Sequence, residues 1–508
     1  MRESAKIRLL IGWSLLGLAW VFANPPLAAP DEQDHYIRAV GIGQGHLVGA
    51  PAPEARIGAD PAEIRFDQST QRAVVVPAKL DPTPFNCYLA DPRLSAACIG
   101  RPPRAGAPAR LVTSVGTYPP IGLLAAGAVV QAGENPPQAV LFGRLATMPI
   151  ALALLIAAAA ALFAPSGGWL SLVGILAACT PTAIFLASSL NPSGLSISAG
   201  IALTASLLRI GRDTGAAAGS WMLFGLSGAL LVLSHPTGLP WALLLVAGFA
   251  AFTGIRTARR LAREHRGPAA FGIGVFAAGA IASLAWQAIY GPSTPIAYRG
   301  IRYALGLVPK QSWGAVRDLV GGFGYLEFRL PVAVYLLWFA LVAVVVIAAV
   351  RAGSRRERNA VLAAGALACL IPVCVWMVFG RAVGIGINAR EYIPFLVAFP
   401  MLAGEVVYRN RDRLSRAKVV ALATVAPLAG TVQFLAWYLN GRRAAVGTGG
   451  PLLFLSDPEW EPPLGWLPWI AVAVCGVLLL ASTSISSLSP RLWPRWLTGD
   501  RTKPAPER

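Results

Sequence analysis

Charged residues are scarce in this chain: Asp, Glu, Lys and Arg make up 13% of its 508 residues. A soluble globular domain carries about 25%, so the composition argues against a cytosolic enzyme. Hydrophobic residues make up 55%, which excludes a disordered scaffold. Histidine is rare, with four residues, and the chain has no His-x-x-x-His zinc pair. Walker-A and Rossmann glycine motifs are also missing, so ATP-driven transport and soluble nucleotide-sugar binding lack support.

The apolar residues are clustered into runs that are long enough to cross a hydrocarbon core of ~30 Å. These runs predict an all-α polytopic membrane protein with about twelve transmembrane helices. Several runs contain Gly or Pro, which membrane helices tolerate. The predicted spans are residues 8–24, 138–164, 169–190, 193–210, 218–235, 237–255, 269–290, 331–350, 360–379, 392–408, 418–440 and 466–486.

Basic residues predict the orientation of these spans. Of the 43 Lys and Arg residues, 24 lie in the two terminal segments and in four short loops on the same side. By the positive-inside rule these segments are cytoplasmic, so both termini are expected inside. The rule explains the basic clusters without nucleic acid, which we do not expect as a partner. Only five basic residues are Lys, a bias that is typical of a GC-rich genome such as that of an actinobacterium.

The longest predicted external segment follows the first span. Within it, residues 121–131 are apolar but too few to cross a bilayer, which suits a helix lying in the outer interface. The first span could also be a cleaved signal peptide, although its length favours a retained helix. The predicted parts are a first transmembrane helix (1–24), an external segment (25–137), helices two to seven (138–290), an external loop (291–330), helices eight to twelve (331–490) and a cytoplasmic tail (491–508).

Two of the six cysteines, Cys87 and Cys98, lie in the external segment. A disulfide between them would close a short loop on a subdomain with little core of its own. Metal binding by this pair lacks further Cys or His ligands nearby. The other cysteines fall inside predicted spans and suit packing positions; they are Cys179, Cys369, Cys374 and Cys475.

An acidic cluster lies just beyond the first predicted span, where Asp31, Glu32, Asp34 and His35 occur within five residues. Apolar surroundings penalise ionised carboxylates, so acids this close to the bilayer suggest a functional site. The structural alternative is a polar interfacial loop or a helix start. In that case Asp31 would be the N-cap of a following helix, with Asp34 at position N3.

The stretch from Asn24 to Gly49 resembles the start of the domain-of-unknown-function 2142 family of bacterial membrane proteins. Further matches follow in order along nearly the whole chain. Where the family usually has Gly-Arg-Tyr, this chain has Ala389-Arg390-Glu391-Tyr392. The other matching motifs are Tyr118-Pro119-Pro120, Gly143-Arg144-Leu145, Asn191-Pro192-Ser193-Gly194, Gly322-Phe323-Gly324-Tyr325-Leu326 and Leu330-Pro331.

This resemblance implies the GT-C superfamily of integral membrane glycosyltransferases, which use a polyprenyl phosphate sugar as donor. Their catalytic acid lies in the first external loop, the place that Asp31 and Glu32 occupy here. We expect Asp31 to accept the proton of an acceptor hydroxyl late in an oxocarbenium-like transition state. Glu32 or His35 would orient that base or the acceptor.

The leaving phosphate needs fixed positive charge, which planar arginine donors supply well. Candidates for binding it are Arg38, Arg144 and Arg390. For Arg144 and Arg390 the alternative is a side chain that reaches out to the lipid headgroups. Tyr118 and His235 are candidates for contacting the acceptor, with a structural role as the alternative.

Two other features have simpler explanations. Glu405, near the inner end of a predicted span, is expected to pair with an arginine such as Arg409. Four aromatic residues fit a belt at the membrane surface, although sugar-binding sites use such rings as well; they are Trp313, Tyr325, Trp460 and Trp466.

Together these features predict a glycosyltransferase of the plasma membrane with its active site on the external face. It would move a sugar from a polyprenyl phosphate donor to an envelope polysaccharide or lipoglycan, and lineage favours arabinofuranose or mannose. Beyond this donor no cofactor is certain; a divalent cation stays open, because acids surround Asp31 without a recognisable cation loop. The alternatives are a transporter of lipid-linked glycans and a non-catalytic partner of another envelope glycosyltransferase.

Overall fold

The computed structural model of this chain describes residues 4–54, 61–89, 91–99, 106–164, 166–212, 218–292, 299–382 and 388–485. Helices dominate this part of the chain. The predicted cytoplasmic tail, residues 491–508, lies outside the described residues.

The N-terminal part consists of one long helix and a subdomain that the all-α prediction missed in part. A three-stranded antiparallel sheet, in the order β1-β2-β3, pairs Ala73 with Ala50 on one side and with Val112 on the other. Its buried face packs on the second helix, around Tyr36 and Val76. The elements are α1 (Ser4–Ala23), α2 (Glu32–Gly43), β1 (Ala50–Pro51), α3 (Pro61–Thr70), β2 (Arg72–Val76), β3 (Ala109–Thr113) and α4 (Ile121–Val130).

The rest of the chain is a helical bundle. In order, its helices are α5 (Pro136–Leu162), α6 (Val173–Ala178), α7 (Pro181–Ala187), α8 (Pro192–Ile210), α9 (Ala218–Ser234), α10 (Gly238–Thr253), α11 (Ile255–Glu264), α12 (Arg266–Tyr290), α13 (Ile301–Gly321), α14 (Val332–Ala352), α15 (Arg355–Ala382), α16 (Ile393–Leu396), α17 (Ala398–Arg409), α18 (Arg416–Ala423), α19 (Val425–Val446) and α20 (Trp466–Ile485).

Eight helices of the described residues are long and apolar enough to cross a membrane, judged by length and composition. The number is ten if each of two bent pairs counts as one span: residues 169–178 with α7, bent by 76°, and α10 with α11, bent by 99°. The predicted count of twelve is therefore not confirmed. The difference lies in α9, which has only 17 residues, and in the predicted span 392–408, which is divided into the short helices α16 and α17.

Two asparagine caps fix the starts of α8 and α5. Asn191 accepts a hydrogen bond from the backbone N–H of Ser193 at 2.9 Å, and Pro192 occupies the first helical position of α8. The same asparagine donates through Nδ2 to the carbonyl of Pro30 at 2.8 Å. The start of α8 is thereby tied to the residue that precedes Asp31. Asn135 caps α5 in the same way, through the backbone N–H of Gln138.

The bundle has two opposite ends, because α8 runs from Asn191 near Pro30 to a buried ion pair at its other end. There Arg212 and Arg409 both contact Glu405, at 2.7 and 2.9 Å. The predicted Glu405–Arg409 pair is thus confirmed, and Arg212 is a second partner that we did not predict. We call this the arginine-rich end; its assignment to the cytoplasm stays a prediction.

Candidate functional site

Asp31 directly precedes α2, at the N-cap position that we considered as the alternative to a catalytic role. Its side chain, however, does not form a capping hydrogen bond. Its backbone is left-handed, with φ 56° and ψ 17°, a conformation that costs an L-residue about 1 kcal/mol and that Asp tolerates better than most. The carboxylate instead forms an ion pair with the guanidinium of Arg390, and it is 32% exposed. The fold therefore presents this carboxylate to a partner from a distant segment of the chain.

Arg390 lies in a single turn of 3-10 helix, Ala389–Glu391, and its side chain is only 8% exposed. Burial is the largest single effect and opposes the charged form, but the charges of Asp31 and Glu391 and the hydrogen bond to Asp31 act together to raise the pKa of Arg390 above its usual value. Nη2 donates to Asp31, while the buried Nη1 has no hydrogen-bond partner among the described residues. An unpartnered buried donor is costly, so this guanidinium is suited to receive an anionic ligand.

Three rings, those of His35, Tyr118 and His235, lie near the Asp31–Arg390 pair. The ring of Tyr118 lies 4.9 Å from that of His235 and 6.2 Å from that of His35, measured between centroids. Burial lowers the pKa of each histidine to about 3, so both imidazoles are neutral at physiological pH. The Nδ1 atom of His235 lies 2.8 Å from the hydroxyl oxygen of Thr237 and accepts from the backbone N–H of the same residue at 3.3 Å. The rings therefore offer polar atoms without adding charge.

Glu32 does not share this environment, although it follows Asp31 directly. Its carboxylate is fully buried and binds the guanidinium of Arg144 through both oxygens, at 2.8 and 2.6 Å. It also accepts backbone hydrogen bonds from Leu190 at 2.9 Å and Ala29 at 3.3 Å. Burial alone would raise the pKa of Glu32, but the guanidinium and these hydrogen bonds hold it below its usual value. The predicted catalytic role of Glu32 is at odds with this enclosed position.

Arg144 is equally enclosed, because backbone carbonyls take up the rest of its donors. Nη1 donates to Val21 at 3.1 Å and to Asn24 at 2.6 Å, and Nη2 donates to Pro25 at 2.7 Å. With Glu32 on the other side, every nitrogen of this guanidinium has a partner. Arg144 therefore fixes the connection between α1 and α2, and neither the predicted phosphate contact nor an outward-reaching side chain fits its position.

Arg38 was also predicted to bind phosphate, but it is buried and acts on the backbone. Its Nη1 donates to the carbonyl of Gly116, and its Nη2 donates to that of Tyr118 at 2.5 Å. The intervening carbonyl of Thr117 accepts from Nε1 of Trp286 at 2.9 Å. Arg38 thus positions the segment that carries Tyr118, while its buried Nε has no hydrogen-bond partner among the described residues.

Three further groups lie near the pair, and the sequence suggested a catalytic or binding role for none of them individually. Glu391, adjacent to Arg390, is predominantly surrounded by protein, and burial raises the pKa of its carboxyl to about 7 despite the opposing guanidinium. Asp34 accepts from the backbone N–H of Ser114 at 2.8 Å, and burial raises its pKa to about 6. Tyr325 was predicted to belong to an aromatic belt, yet burial and the charge of Asp31 both raise its pKa. The available signals were the position of Glu391 beside Arg390 and that of Asp34 in the acidic cluster.

Cys87 and Cys98 form a disulfide in the subdomain. The loop between them docks on the bundle, where Arg443 donates to the carbonyl of Tyr88 at 2.9 Å and pairs with Glu327 at 2.6 Å. Of the cysteines expected to pack inside spans, Cys179 is buried, and the others are exposed on their helices. Among the residues that the structure describes, no group of three or more His, Cys, Asp and Glu side chains could hold a metal ion.

Long apolar helices, with a polar cluster at one end of the bundle, define a multi-pass membrane protein. The family model "Predicted membrane protein (DUF2142)" matches residues 14–399, and the chain belongs to this family. No curated protein matches the chain at a significant level.

Two solved structures are similar to this chain at a low level. One is ArnT from Cupriavidus metallidurans in the apo state, with 17% identity over 73% of this chain and 67% of that chain, at a TM-score of 0.37. The other is the same protein bound to undecaprenyl phosphate, with 17% identity over 73% and 68% and a TM-score of 0.36. A likeness at this level does not extend to the ligand or the reaction.

Proposed function

We propose that this protein is a GT-C-type glycosyltransferase of the plasma membrane that uses a polyprenyl phosphate sugar. Its acceptor would be an envelope polysaccharide or lipoglycan on the external face, and the sugar arabinofuranose or mannose. The observation that carries the proposal is the Asp31–Arg390 pair, in which a partly exposed carboxylate faces a buried guanidinium with an unpartnered N–H. The chain belongs to the DUF2142 family, the family whose resemblance led us to expect a GT-C enzyme.

The proposed reaction needs one base and one fixed positive charge. The acceptor hydroxyl oxygen forms a bond to the anomeric carbon of the donor, while the bond from that carbon to the phosphate oxygen breaks. The hydroxyl proton passes to Asp31, and the electron pair of the broken bond leaves with the polyprenyl phosphate. A carboxylate is a weak base, so this proton moves late in the step.

Arg390 would stabilise the leaving group through its free Nη1. The phosphate gains negative charge as its bond to the sugar breaks, so its attraction to the guanidinium is greater in the transition state than in the bound donor. A phosphate near Arg390 also competes with Asp31 for the same positive charge. Binding of the donor would thereby loosen the ion pair and free the carboxylate for the acceptor.

The ring cluster suits a sugar acceptor. His35 and His235 are neutral and buried, so they can hydrogen-bond sugar hydroxyls without attracting the donor phosphate. The aromatic ring of Tyr118, held by Arg38 through its backbone, offers an apolar face to the sugar. We therefore propose that these three residues bind the acceptor and that Asp31 performs the proton transfer.

The test is linkage analysis of the envelope glycan in a deletion strain complemented with wild type, with Asp31→Asn or with Asp457→Asn. Asp457 is an exposed acid distant from the pair in sequence and serves as the matched control. With expression levels matched, we expect the control to restore the missing linkage and Asp31→Asn to leave it absent. Full restoration by Asp31→Asn would refute Asp31 as the base and favour the transporter or the non-catalytic partner.

A further inference from the structure

An apolar cleft lies in the half of the bundle near the arginine-rich end, away from Asp31. Its volume is about 570 Å³, and its walls are formed by α8, α10, α15 and the α16–α17 region. Leu244 on α10 and Leu367 on α15 line the cleft and are exposed, so it opens between these two helices. The volume falls within the range of about 300–1,000 Å³ that is typical of ligand sites.

The polar groups of this cleft are concentrated where α15 begins. Arg356 and Asn359 line it there, and Arg356 uses one N–H to bind the carbonyl of Phe252 at 2.9 Å. Next to this point the chain turns sharply at Gly254, where φ is 94°, and α11 departs from α10 at 99°. The exposed arginines of α11 follow directly; they are Arg256, Arg259, Arg260 and Arg263.

Few acids offset this positive charge. Glu264 lies 3.7 Å from Arg260, and Glu357 accepts hydrogen bonds from Ser354 and Asn410. The end of the cleft beside Arg356 and α11, which we call its cationic mouth, is therefore positively charged. The walls of the cleft are apolar. A lipid with an anionic headgroup requires both properties.

This cationic mouth is far from the proposed reaction. Trp376, twenty residues after Arg356 on α15, contacts the ring of Tyr392, with centroids 6.0 Å apart. At about 1.5 Å per residue, about 30 Å of helix separates Arg356 from the turn that carries Arg390. A phosphate bound at Arg356 is thus a different phosphate from one bound at Arg390.

We propose that the cleft is a binding site for one anionic glycerophospholipid from the leaflet at the arginine-rich end. An acyl chain would fill the apolar walls, and the headgroup phosphate would contact Arg356 and the arginines of α11. This site does not depend on the glycosyltransferase proposal, since it shares no residue with the Asp31 cluster.

The first test fills the cleft. A Cβ added at Gly248, which lines the cleft, meets no atom within 4 Å, so the backbone has room for a side chain there and Gly248→Phe is chosen to place a ring in the cleft. Gly274 on α12 is exposed and equally unobstructed, but it does not line the cleft, so Gly274→Phe is the matched control. The full chain in detergent is titrated with dioleoyl phosphatidylglycerol, and retained lipid is counted by native mass spectrometry. We expect Gly248→Phe to weaken retention about tenfold, with the control equal to wild type.

The second test addresses the charge. Wild type should prefer dioleoyl phosphatidylglycerol to dioleoyl phosphatidylcholine, which has the same acyl chains and no net charge. Arg356→Gln should lose this preference, and Arg358→Gln, an exposed neighbour outside the cleft, should keep it. A variant is compared with wild type only if the two melt in the same temperature range. If Arg356→Gln misfolds, Arg356→Lys replaces it, and this variant should retain part of the preference for phosphatidylglycerol.

Three outcomes would overturn the proposal. Equal retention by the two glycine variants would remove the cleft as the site, and equal binding of the two lipids by wild type would remove the anionic headgroup. The third is displacement of phosphatidylglycerol by undecaprenyl phosphate with an affinity that Arg356→Gln leaves unchanged. That result would assign the cleft to a polyprenyl tail whose phosphate lies elsewhere.

Discussion

Replacement of Glu32 by glutamine tests whether this residue stabilises the fold or takes part in the reaction. Glu32 is adjacent to the proposed base, yet it lies in a buried ion pair. The two partners are 0% and 3% exposed, and glutamine nearly matches glutamate in shape. Glu32→Gln therefore keeps one oxygen acceptor but leaves the charge of Arg144 without a counter-charge inside the protein. Breaking a buried pair from one side typically costs about 3–5 kcal/mol.

The backbone carbonyls around Arg144 reduce this cost only in part. Those of Val21, Asn24 and Pro25 still accept its N–H groups, but they carry no net charge. We thus expect Glu32→Gln to lower the thermal stability of the purified protein strongly. Removing both charges, as in Glu32→Gln with Arg144→Met, should recover much of the loss, because no buried charge then stays unpaired.

The assay is thermal unfolding in detergent, measured for wild type, both single variants, the double variant and Asp31→Asn. Stability should be lowest in the single variants of the Glu32–Arg144 pair, and Asp31→Asn should lose less, because Asp31 is 32% exposed. A Glu32→Gln protein that melts like wild type but transfers no sugar would refute the reasoning, since Glu32 would then act in the chemistry.

Arg390→Lys keeps the charge but loses the planar donors, so sugar transfer should fall at least about tenfold while the protein still purifies folded; an unchanged rate would contradict the phosphate role. Burial lowers the pKa of His35 and of His235 to about 3 from 6.5, so the unfolded chain takes up protons first as the pH falls below 6.5. Stability should then decrease by up to about 1.4 kcal/mol per pH unit for each histidine, and a double His→Asn variant that melts with the same pH dependence would disprove this. Loss of the disulfide in Cys87→Ser with Cys98→Ser should lower stability, typically by about 2–4 kcal/mol, and reductant should then shift the melting of wild type alone.

Membrane helices were predictable because a run of apolar residues is a local property of the sequence. The eight clear spans coincide with predicted ones, whereas the predicted span 392–408 is not confirmed. There Pro394 and Pro400 lie near the starts of two short helices, and a proline that begins a new helix cannot be told from one tolerated within a span. The small sheet was missed because its strands are short and pair across long stretches of loop.

The site was predictable only as a list of residue types. Sequence placed Asp31 and Glu32 side by side, and nothing local separates their roles, since Glu32 becomes enclosed only through Arg144 on a distant helix. The roles of the arginines could not be predicted for the same reason. Whether a guanidinium has N–H groups left for a ligand depends on the backbone carbonyls around it, which the sequence does not reveal. Every donor of Arg144 has a partner, Arg38 binds two carbonyls through its Nη atoms but leaves Nε unpartnered, and Arg390 leaves Nη1 unpartnered.

The wide separation of the ion-pair partners along the chain sets an order in which the site is built. Glu32 and Arg144 are 112 residues apart, whereas Asp31 and Arg390 are 359 residues apart. At a synthesis rate of about 5–20 residues per second, Arg390 is made about 20–70 s after Asp31. The closed pair is therefore available to set the first connection well before the guanidinium of Arg390 exists. A nascent or truncated chain holds the proposed base without its counter-charge, so catalytic competence arises only once most of the helices have been synthesised.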